Sequence, residues 1–254
     1  PTQIPGTWSD NITGSEAHTM LAVNSDGELF GWGKSAEGQA GTNTTASRSS
    51  PVQIPGTTWS TTAEKAWVSD FVAGAIKTNG TLWGWGTNHL NDHLPAIQSP
   101  TNSSPVQVPG TTWNQLAGAS RASLATKTDG TGWAFGSNTE GQLGLNGPVG
   151  SNARRSSPVQ IPGTNWAQFG SNAYSRTAYG IKTDGTMWVW GRGHYGQLGL
   201  NEGGPTRYSS PVQLPGTTWS SVSNAYQCTF AQKTDGTLWS WGYNHQGQLA
   251  QNNR

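Results

Sequence analysis

The sequence repeats itself five times, and this repeat limits the chain to a small set of folds. The motif Pro-x-Gln-Ile/Val/Leu-Pro-Gly-Thr recurs at intervals of 50, 54, 53 and 53 residues, beginning at Pro1, Pro51, Pro105, Pro158 and Pro211. Each copy is followed by a tryptophan: Trp8, Trp59, Trp113, Trp166 and Trp219. Repeats of this length typically form supersecondary units that bury their faces by stacking on one another.

Each repeat predicts a four-stranded antiparallel sheet. Lys-Thr-Asp-Gly-Thr-Leu-Trp-x-Trp-Gly, or a close variant, follows in every copy, and its hairpin glycines are Gly27, Gly80, Gly130, Gly185 and Gly236. Asp-Gly between two apolar runs indicates a β-hairpin. A structured loop of the type Asn-x-x-Gly-Gln-Leu-Gly comes next and is clearest at Asn138–Gly144. The proline-bracketed motif suits an outermost strand, because proline is tolerated at sheet edges.

Five such units predict an all-β fold, a five-bladed β-propeller in a single domain. The expected blade units are 8–56, 57–110, 111–163, 164–216, and 217–254 together with 1–7. In this interpretation residues 1–7 form the N-terminal strand that closes the last blade, because they carry the outer-strand sequence. Arg254 also matches the arginines that precede this motif in other repeats, such as Arg48 and Arg155. A shared sheet of this kind would remove an exposed edge.

Composition and charge exclude several classes of function. The net charge is +1 and charged residues make up only 11% of the chain, so we expect no nucleic-acid partner. No apolar run approaches the roughly 20 residues that a membrane-spanning helix needs, and we expect no membrane insertion. The one cysteine, Cys228, falls in a predicted strand and suggests a small buried thiol.

The segment Lys233–Leu249, Lys-Thr-Asp-Gly-Thr-Leu-Trp-Ser-Trp-Gly-Tyr-Asn-His-Gln-Gly-Gln-Leu, resembles the regulator-of-chromosome-condensation repeat. The resemblance covers essentially the whole chain and implies a propeller. The best-known member of that family has seven blades, acts as a guanine-nucleotide exchange factor and binds chromatin. This chain has five repeats, keeps the family's His-Thr only at His18-Thr19, and has no long hairpin insertion. Nucleotide exchange is therefore the third alternative for its function.

No motif for catalysis or for a cofactor is present. The sequence has no phosphate-binding Gly-x-x-x-x-Gly-Lys-Ser/Thr, no Cys-x-x-Cys, no His-Glu-x-x-His and no Gly-x-Ser-x-Gly. Three histidines, His89, His194 and His245, recur in equivalent loops of separate repeats, which is too far apart for one metal ion. We therefore expect neither an enzyme nor a metal or other cofactor.

Residues that break the repeat are the best candidates for a binding site, because variable loops on a rigid scaffold usually carry function. Thirteen of the 14 tryptophans follow the repeat, and Trp67 is the exception. It is either a ligand platform or a packing compensation for Gly74. The candidate binding residues are Trp67, Asp70, Arg121, Tyr174, Arg176 and Tyr226 before the second strands, and His89, His194, Tyr195 and His245 in the later loops.

The sequence therefore favours a non-enzymatic binding or structural display module that contacts other proteins. The low-charge, Asn/Thr/Ser/Gly-rich composition favours a location outside the cell. The resemblance to a family with bacterial and viral members implies the surface of a virus particle, where the partner would be a protein or a host or virion surface component. The alternative is a glycan-binding, five-bladed lectin-like propeller, in which an aromatic side chain stacks on the sugar.

Overall fold

The computed structural model describes residues 1–15, 18–69, 71–87, 101–119, 122–150, 152–171, 176–202, 204, 206–225 and 227–251. Within these residues the chain is all-β, with nineteen strands in five antiparallel sheets and no helix. It divides into two compact units, Pro1–Leu116 and Ala117–Arg254. The boundary falls within β9, and β9 is described below with the sheet to which it belongs.

The first unit contains two four-stranded sheets in which the strands lie in chain order. The first sheet consists of β1 (Trp8–Gly14), β2 (Thr19–Asn24), β3 (Leu29–Gly33) and β4 (Arg48–Gln53). The second consists of β5 (Ala66–Val68), β6 (Val72–Ile76), β7 (Leu82–Thr87) and β8 (Thr101–Gln107).

The second unit contains the remaining three sheets. The third sheet consists of β9 (Trp113–Ala119), β10 (Ala122–Lys127), β11 (Gly132–Gly136) and β12 (Arg155–Gln160). The fourth consists of β13 (Trp166–Ser171), β14 (Thr177–Lys182), β15 (Met187–Arg192) and β16 (Arg207–Gln213). The fifth has three strands, β17 (Trp219–Ala225), β18 (Cys228–Lys233) and β19 (Leu238–Gly242). The predicted four-stranded antiparallel unit is thus confirmed in four of the five sheets.

The hairpin between the second and third strands is fixed by the Thr-Asp-Gly-Thr sequence. In the fourth sheet Gly185 has φ of +76°, a conformation that glycine adopts without strain. The Asp184 carboxylate accepts hydrogen bonds from the backbone N–H of Thr186 at 2.9 Å and from its hydroxyl at 2.7 Å. The Thr186 hydroxyl oxygen in turn accepts the indole N–H of Trp188 at 3.1 Å. This turn therefore fixes the first tryptophan of the following strand as well as the chain reversal.

A lysine stacks on tryptophan beside this turn. Lys182 Nζ lies 4.9 Å from the ring centre of Trp166 and 4.6 Å from that of Trp188. The same arrangement recurs around Lys77 and Lys233, and Lys127 lies 4.4 Å from the ring centre of Trp133. The recurring lysines are thus part of the sheet structure through cation–π contacts.

The outer strand of each four-stranded sheet is the Pro-Val-Gln segment, and the aliphatic residue after it is buried. Leu214 follows β16, is 4% exposed, and donates its backbone N–H to the carbonyl of Met187 at 2.8 Å. The equivalent residues Ile54, Val108 and Ile161 are fully buried and make the same 2.8 Å bond to the start of the third strand. The expectation that this segment is outermost is confirmed.

Tryptophans join neighbouring sheets within each unit. The indole N–H of Trp85 donates to the carbonyl of Gln39, that of Trp190 to Gln142, and that of Trp241 to Gln197, each at 2.9 Å. Gly199 approaches the Trp241 ring so closely that a Cβ there would lie 2.8 Å from Nε1. The Gly-Gln-Leu-Gly loop of one repeat therefore packs on the last tryptophan of the next repeat.

The fourth strand that we expected residues 1–7 to add to the fifth sheet is not formed. Residues 1–7 contain no strand and are exposed. The segment bends back on its own tryptophan instead, and the Trp8 indole N–H donates to the carbonyl of Ile4 at 3.4 Å. In the second unit, Leu238 at the start of β19 is 71% exposed.

The small buried thiol expected at Cys228 is present in β18, where the side chain is 6% exposed. Across the described ranges, the structure contains no helix of the length and apolar character needed to span a bilayer.

Candidate functional site: the Tyr195 surface

The sequence-predicted candidates fall into three groups in the structure. Arg176, His194, Tyr195 and His245 lie in the second unit, and Trp67 lies in the first. Asp70, His89, Arg121, Tyr174 and Tyr226 lie outside the described residues. Because of this, the predicted site before the second strands is represented only by Trp67 and Arg176.

Trp67 is half-buried in β5, where it pairs directly with Gly74 of β6. Its neighbours Ala66 and Val68 are buried on the other face of the strand. A Cβ at Gly74 would lie 3.0 Å from the Leu116 side chain and 3.2 Å from the carbonyl of Trp83. The pairing of a large residue with a glycine matches the packing alternative for Trp67.

The loop after the third strand is held rigidly by its glutamine. In the fourth repeat the side-chain oxygen of Gln197 accepts the backbone N–H of Tyr195 at 2.7 Å. In the fifth repeat Gln248 accepts the N–H of Gln246 at 2.8 Å, and in the third Gln142 accepts that of Glu140 at 2.9 Å. The Asn-x-x-Gly-Gln motif therefore displays the two residues before its glycine on a fixed backbone.

Aromatic side chains from the loops of the fourth and fifth repeats form a continuous row. The rings of Tyr195 and Tyr243 meet edge to face, with centres 5.4 Å apart. Tyr243 stacks on His245 at 5.9 Å with an interplanar angle of 29°. Tyr195 is 43% exposed, and His245 is exposed as well. The row is thus organised by contacts within the protein while it still faces solvent.

Arg192 and His194 extend this row on the side of Tyr195. The Arg192 guanidinium lies 5.7 Å from the Tyr195 ring centre, and its Nε donates to His194 Nδ1 at 2.9 Å. Burial, followed by the charge of Arg192, lowers the pKa of His194, so the imidazole is neutral at neutral pH and its Nδ1 can accept this bond. We call Arg192, His194, Tyr195, Tyr243 and His245 the Tyr195 surface.

An ion-pair cluster adjoins the Tyr195 surface. Glu140 of the third repeat's loop lies between two arginines, with Arg176 Nη1 at 3.4 Å from Oε1 and Arg207 Nη2 at 3.5 Å from Oε2. The cluster and the surface are neighbours, because Arg207 pairs with Arg192 across β15 and β16 and the Arg192 backbone N–H donates to the carbonyl of Arg176 at 3.1 Å. Tyrosine and arginine, together with tryptophan, are enriched among the residues that dominate the binding energy of protein interfaces.

Four members of this region were predicted from the sequence, and four were not. The sequence predicts Arg176, His194, Tyr195 and His245, and the structure adds Glu140, Arg192, Arg207 and Tyr243. A sequence signal for Arg192 and Tyr243 does exist, because the position after Trp-Gly, or Phe-Gly in the third repeat, changes in character from repeat to repeat: Lys34, Thr87, Ser137, Arg192 and Tyr243. Among the described residues, no group of three or more His, Cys, Asp or Glu side chains is placed to hold a metal ion.

Repeated antiparallel sheets with tryptophan contacts between neighbours define a protein of the β-propeller class, and comparisons with known proteins give its family. The model of the regulator of chromosome condensation (RCC1) repeat matches residues 26–75, 129–171 and 184–232, more than half of the chain. The chain belongs to the RCC1-repeat family.

Relatives with curated descriptions are longer than this chain. The ultraviolet-B receptor UVR8 of Arabidopsis thaliana is 30% identical over 75% of this chain and 43% of its own length. A protein RCC2 homolog of Danio rerio is 26% identical over 91% of this chain and 52% of its own length. The chain thus spans about half the length of these two relatives.

Solved structures show the fold. Human WBSCR16 covers 95% of this chain with a TM-score of 0.77 and 18% identity, and 63% of its own chain is matched. Prp20p of Saccharomyces cerevisiae covers 93% of this chain, and 72% of its own chain is matched, with a TM-score of 0.56 and 15% identity. That protein is described by its binding to Gsp1p and histones. These neighbours are RCC1-type β-propellers, and the fold expected from the sequence is confirmed.

Proposed function

We propose that the chain is a non-enzymatic module that binds another protein through the Tyr195 surface. The observation that carries the proposal is the exposed Tyr195 ring, held between the Tyr243 ring and the Arg192 guanidinium. A rigid aromatic side chain loses little conformational freedom on binding, and arginine next to it adds directional hydrogen bonds. Propellers of the RCC1-repeat family fit this role.

The proposal is tested by comparing the proteins retained by the immobilised wild-type chain with those retained by its variants. We expect Tyr195→Ala and Arg192→Ala each to weaken retention of a specific partner by about tenfold or more, the size of an interface hot spot. Phe71→Ala is the matched control, because it removes an aromatic side chain of similar exposure, 39%, in the other unit. Equal retention by wild type and both variants would refute the role of this surface.

Location outside the cell, supported by the low charge and polar composition of the chain, forms part of the proposal, and the surface of a virus particle is proposed by analogy with viral members of the family. Fractionation of the source, followed by detection with an antibody, tests it directly. Recovery in the cytosol alone would contradict this location and would leave the binding surface unaffected.

Glycan binding is the second candidate, and the exposed Tyr195 ring favours it, since aromatic faces stack on sugars. A glycan array probed with the wild-type chain and with Tyr195→Ala distinguishes glycan binding from protein binding.

Nucleotide exchange is a third alternative, suggested by Prp20p, which is described by its binding to Gsp1p. Accelerated release of labelled guanine nucleotide from a small GTPase would support that alternative.

A further inference from the structure

The Tyr195 surface and the ion-pair cluster beside it carry more positive than negative charge. In the cluster, the carboxylate of Glu140 faces two guanidinium groups, those of Arg176 and Arg207. Arg192 of the Tyr195 surface adds a third, and the other members of that surface are two tyrosines and two histidines. Three of the chain's 14 lysines and arginines and one of its 13 acids are thus found here, which gives these residues +2 and the rest of the chain −1.

The two arginines of the cluster face solvent, whereas the carboxylate between them is enclosed. The side chains of Arg176 and Arg207 are 41% and 47% exposed, and that of Glu140 is 15% exposed. Glu140 Oε2 is buried and makes no hydrogen bond to the described residues. The carboxylate therefore holds the guanidinium groups from the protein side, and their positive charge is presented to solvent.

One carboxylate does not use the hydrogen-bonding capacity of two arginines. Each guanidinium has five N–H donors. The contacts of Glu140 with Arg176 and Arg207, at 3.4 and 3.5 Å, are longer than the roughly 2.7–2.9 Å of a charge-assisted hydrogen bond. The acid nearest to Arg207 in sequence, Glu202, accepts the hydroxyl of Tyr208, which points to the opposite face of β16. The cluster therefore suits further carboxylates that approach from solvent.

The loops themselves lose their acids along the row. The position that Glu140 occupies in the third repeat is Glu37 in the first, Tyr195 in the fourth and Gln246 in the fifth. In the fourth repeat the Arg192 guanidinium consequently packs on the Tyr195 ring, at 5.7 Å from its centre. An aromatic ring thus replaces a carboxylate beside an arginine, which leaves positive charge next to an apolar face.

We propose that the Tyr195 surface and the ion-pair cluster bind an acidic segment of a partner protein. Carboxylates of the segment pair with Arg176 and Arg207, and an adjacent apolar or aromatic side chain packs on Tyr195. This assignment rests on the proposed function, because it names the chemistry of the partner that the Tyr195 surface binds. Charge complementarity of this kind gives specificity and fast association, and like charges exclude basic segments.

An array of immobilised octapeptides, probed with the full chain, tests the chemistry of the segment. We expect binding to peptides that contain two to four Asp or Glu residues around one Phe, Tyr or Leu. Counterparts with Asn and Gln in place of the acids should bind at least about tenfold more weakly. Raising NaCl from 50 to 500 mM should weaken binding of the acidic set about tenfold, since salt screens exposed charges.

Three results of the array would overturn the proposal. The first is no binding to any acidic peptide, and the second is equal binding to the neutral counterparts. The third is a preference for a phosphoserine peptide without Asp or Glu, or for single-stranded DNA of twelve nucleotides, because the ligand would then be a phosphate and not a carboxylate.

Arginine variants test the surface in solution with the acidic peptide that binds best. We expect Arg176→Gln and Arg207→Gln each to raise its Kd by about tenfold, the size of an interface hot spot. Arg48→Gln is the matched control, since Arg48 is the exposed equivalent of Arg207 in the first sheet. Unchanged thermal unfolding shows that each variant is folded. Loss of binding in Tyr195→Ala with full binding by both arginine variants refutes the acidic segment and leaves the proposed function standing. Full binding by all three variants contradicts both.

Discussion

The fourth and fifth sheets of the second unit are built from nearly the same sequence, yet they bury it differently. Met187 at the start of β15 is fully buried, whereas Leu238 at the same position of β19 is 71% exposed. Both sheets have the Thr-Asp-Gly-Thr turn and the lysine stacked on two tryptophans. They differ in the outer strand, which only the fourth sheet has. Burial in this fold therefore depends on a segment that is remote in sequence, while the turn is a local property.

The largest expected effect comes from truncating the two equivalent side chains. Met187→Ala should lower the free energy of unfolding by about 2–5 kcal/mol, because it leaves a cavity in a closed core. Leu238→Ala should change it by less than about 0.5 kcal/mol, because most of that side chain already contacts water. Urea denaturation of both variants at low protein concentration measures the difference. Equal losses would show that the edge of β19 is covered in solution.

The next effect concerns the buried Tyr179 hydroxyl, which bonds within the fourth repeat and contacts Thr229 of the fifth sheet. The Tyr179 hydroxyl donates to the carbonyl of Gln197 at 2.7 Å and contacts the hydroxyl of Thr229 in β18. Burial of this hydroxyl raises the pKa of Tyr179 above its ordinary value, so the group stays protonated and can donate. Tyr179→Phe should cost about 0.5–1.5 kcal/mol of stability, because the buried contact with Thr229 is lost while the Gln197 carbonyl keeps the indole N–H of Trp241.

Calorimetric unfolding of Tyr179→Phe gives this value, and Phe230→Tyr is its control. Phe230 occupies the matching position of β18 and is half-buried, so an added hydroxyl there should leave stability nearly unchanged. If Tyr179→Phe is as stable as the wild-type chain, the bond between the two sheets contributes nothing, and packing alone joins them.

A smaller effect is expected at the turn itself. Thr186→Val removes the hydroxyl that donates to Asp184 and accepts the indole N–H of Trp188. The loss should be about 0.5–1.5 kcal/mol, since Trp188 is half-buried and water replaces the bond incompletely. Thr237→Val should cost less, because Trp239 is 49% exposed. Chemical denaturation of the pair checks the order, and a larger loss for Thr237→Val would reverse our interpretation of the β19 edge.

The fold was largely predictable because its determinants recur in sequence. The positive-φ glycine after aspartate, the prolines of the outer strand and the regular tryptophans each predict one local feature, and the structure contains all three. The fourth strand of the fifth sheet could not be predicted in the same way. Residues 1–7 carry the outer-strand sequence but contain no strand, because strand pairing depends on tertiary contacts that no local pattern specifies.

Residues of the candidate site were predictable from the sequence only where they occupy exposed loop positions that vary between repeats. Tyr195 and His245 occupy such positions, and the variation between repeats identifies them as candidate binding residues. Arg192 and Tyr243 gain their roles from contacts with loops of the same or the neighbouring repeat, such as the edge-to-face contact of Tyr243 with Tyr195. Glu140 reaches Arg207 across 67 positions of sequence (207 − 140), so no local pattern links the two.

The smallest expected effect should be the same in both sheets, since it belongs to the turn alone. Hydrogen bonds from Thr186 and Thr237, first from the hydroxyl and then from the backbone N–H, lower the pKa of Asp184 and of Asp235 below the ordinary value of 3.8. A lowered pKa in the folded chain means that the stabilisation is complete above that ordinary value and is lost as the pH falls through the lowered one. Both carboxylates are fully exposed, so the gain is small. NMR titration should give lowered values for both aspartates, and Thr186→Val should raise the pKa of Asp184 while leaving that of Asp235 unchanged. If only Asp184 titrates low, the turn depends on the outer strand after all, and the division between local turn and remote burial does not hold.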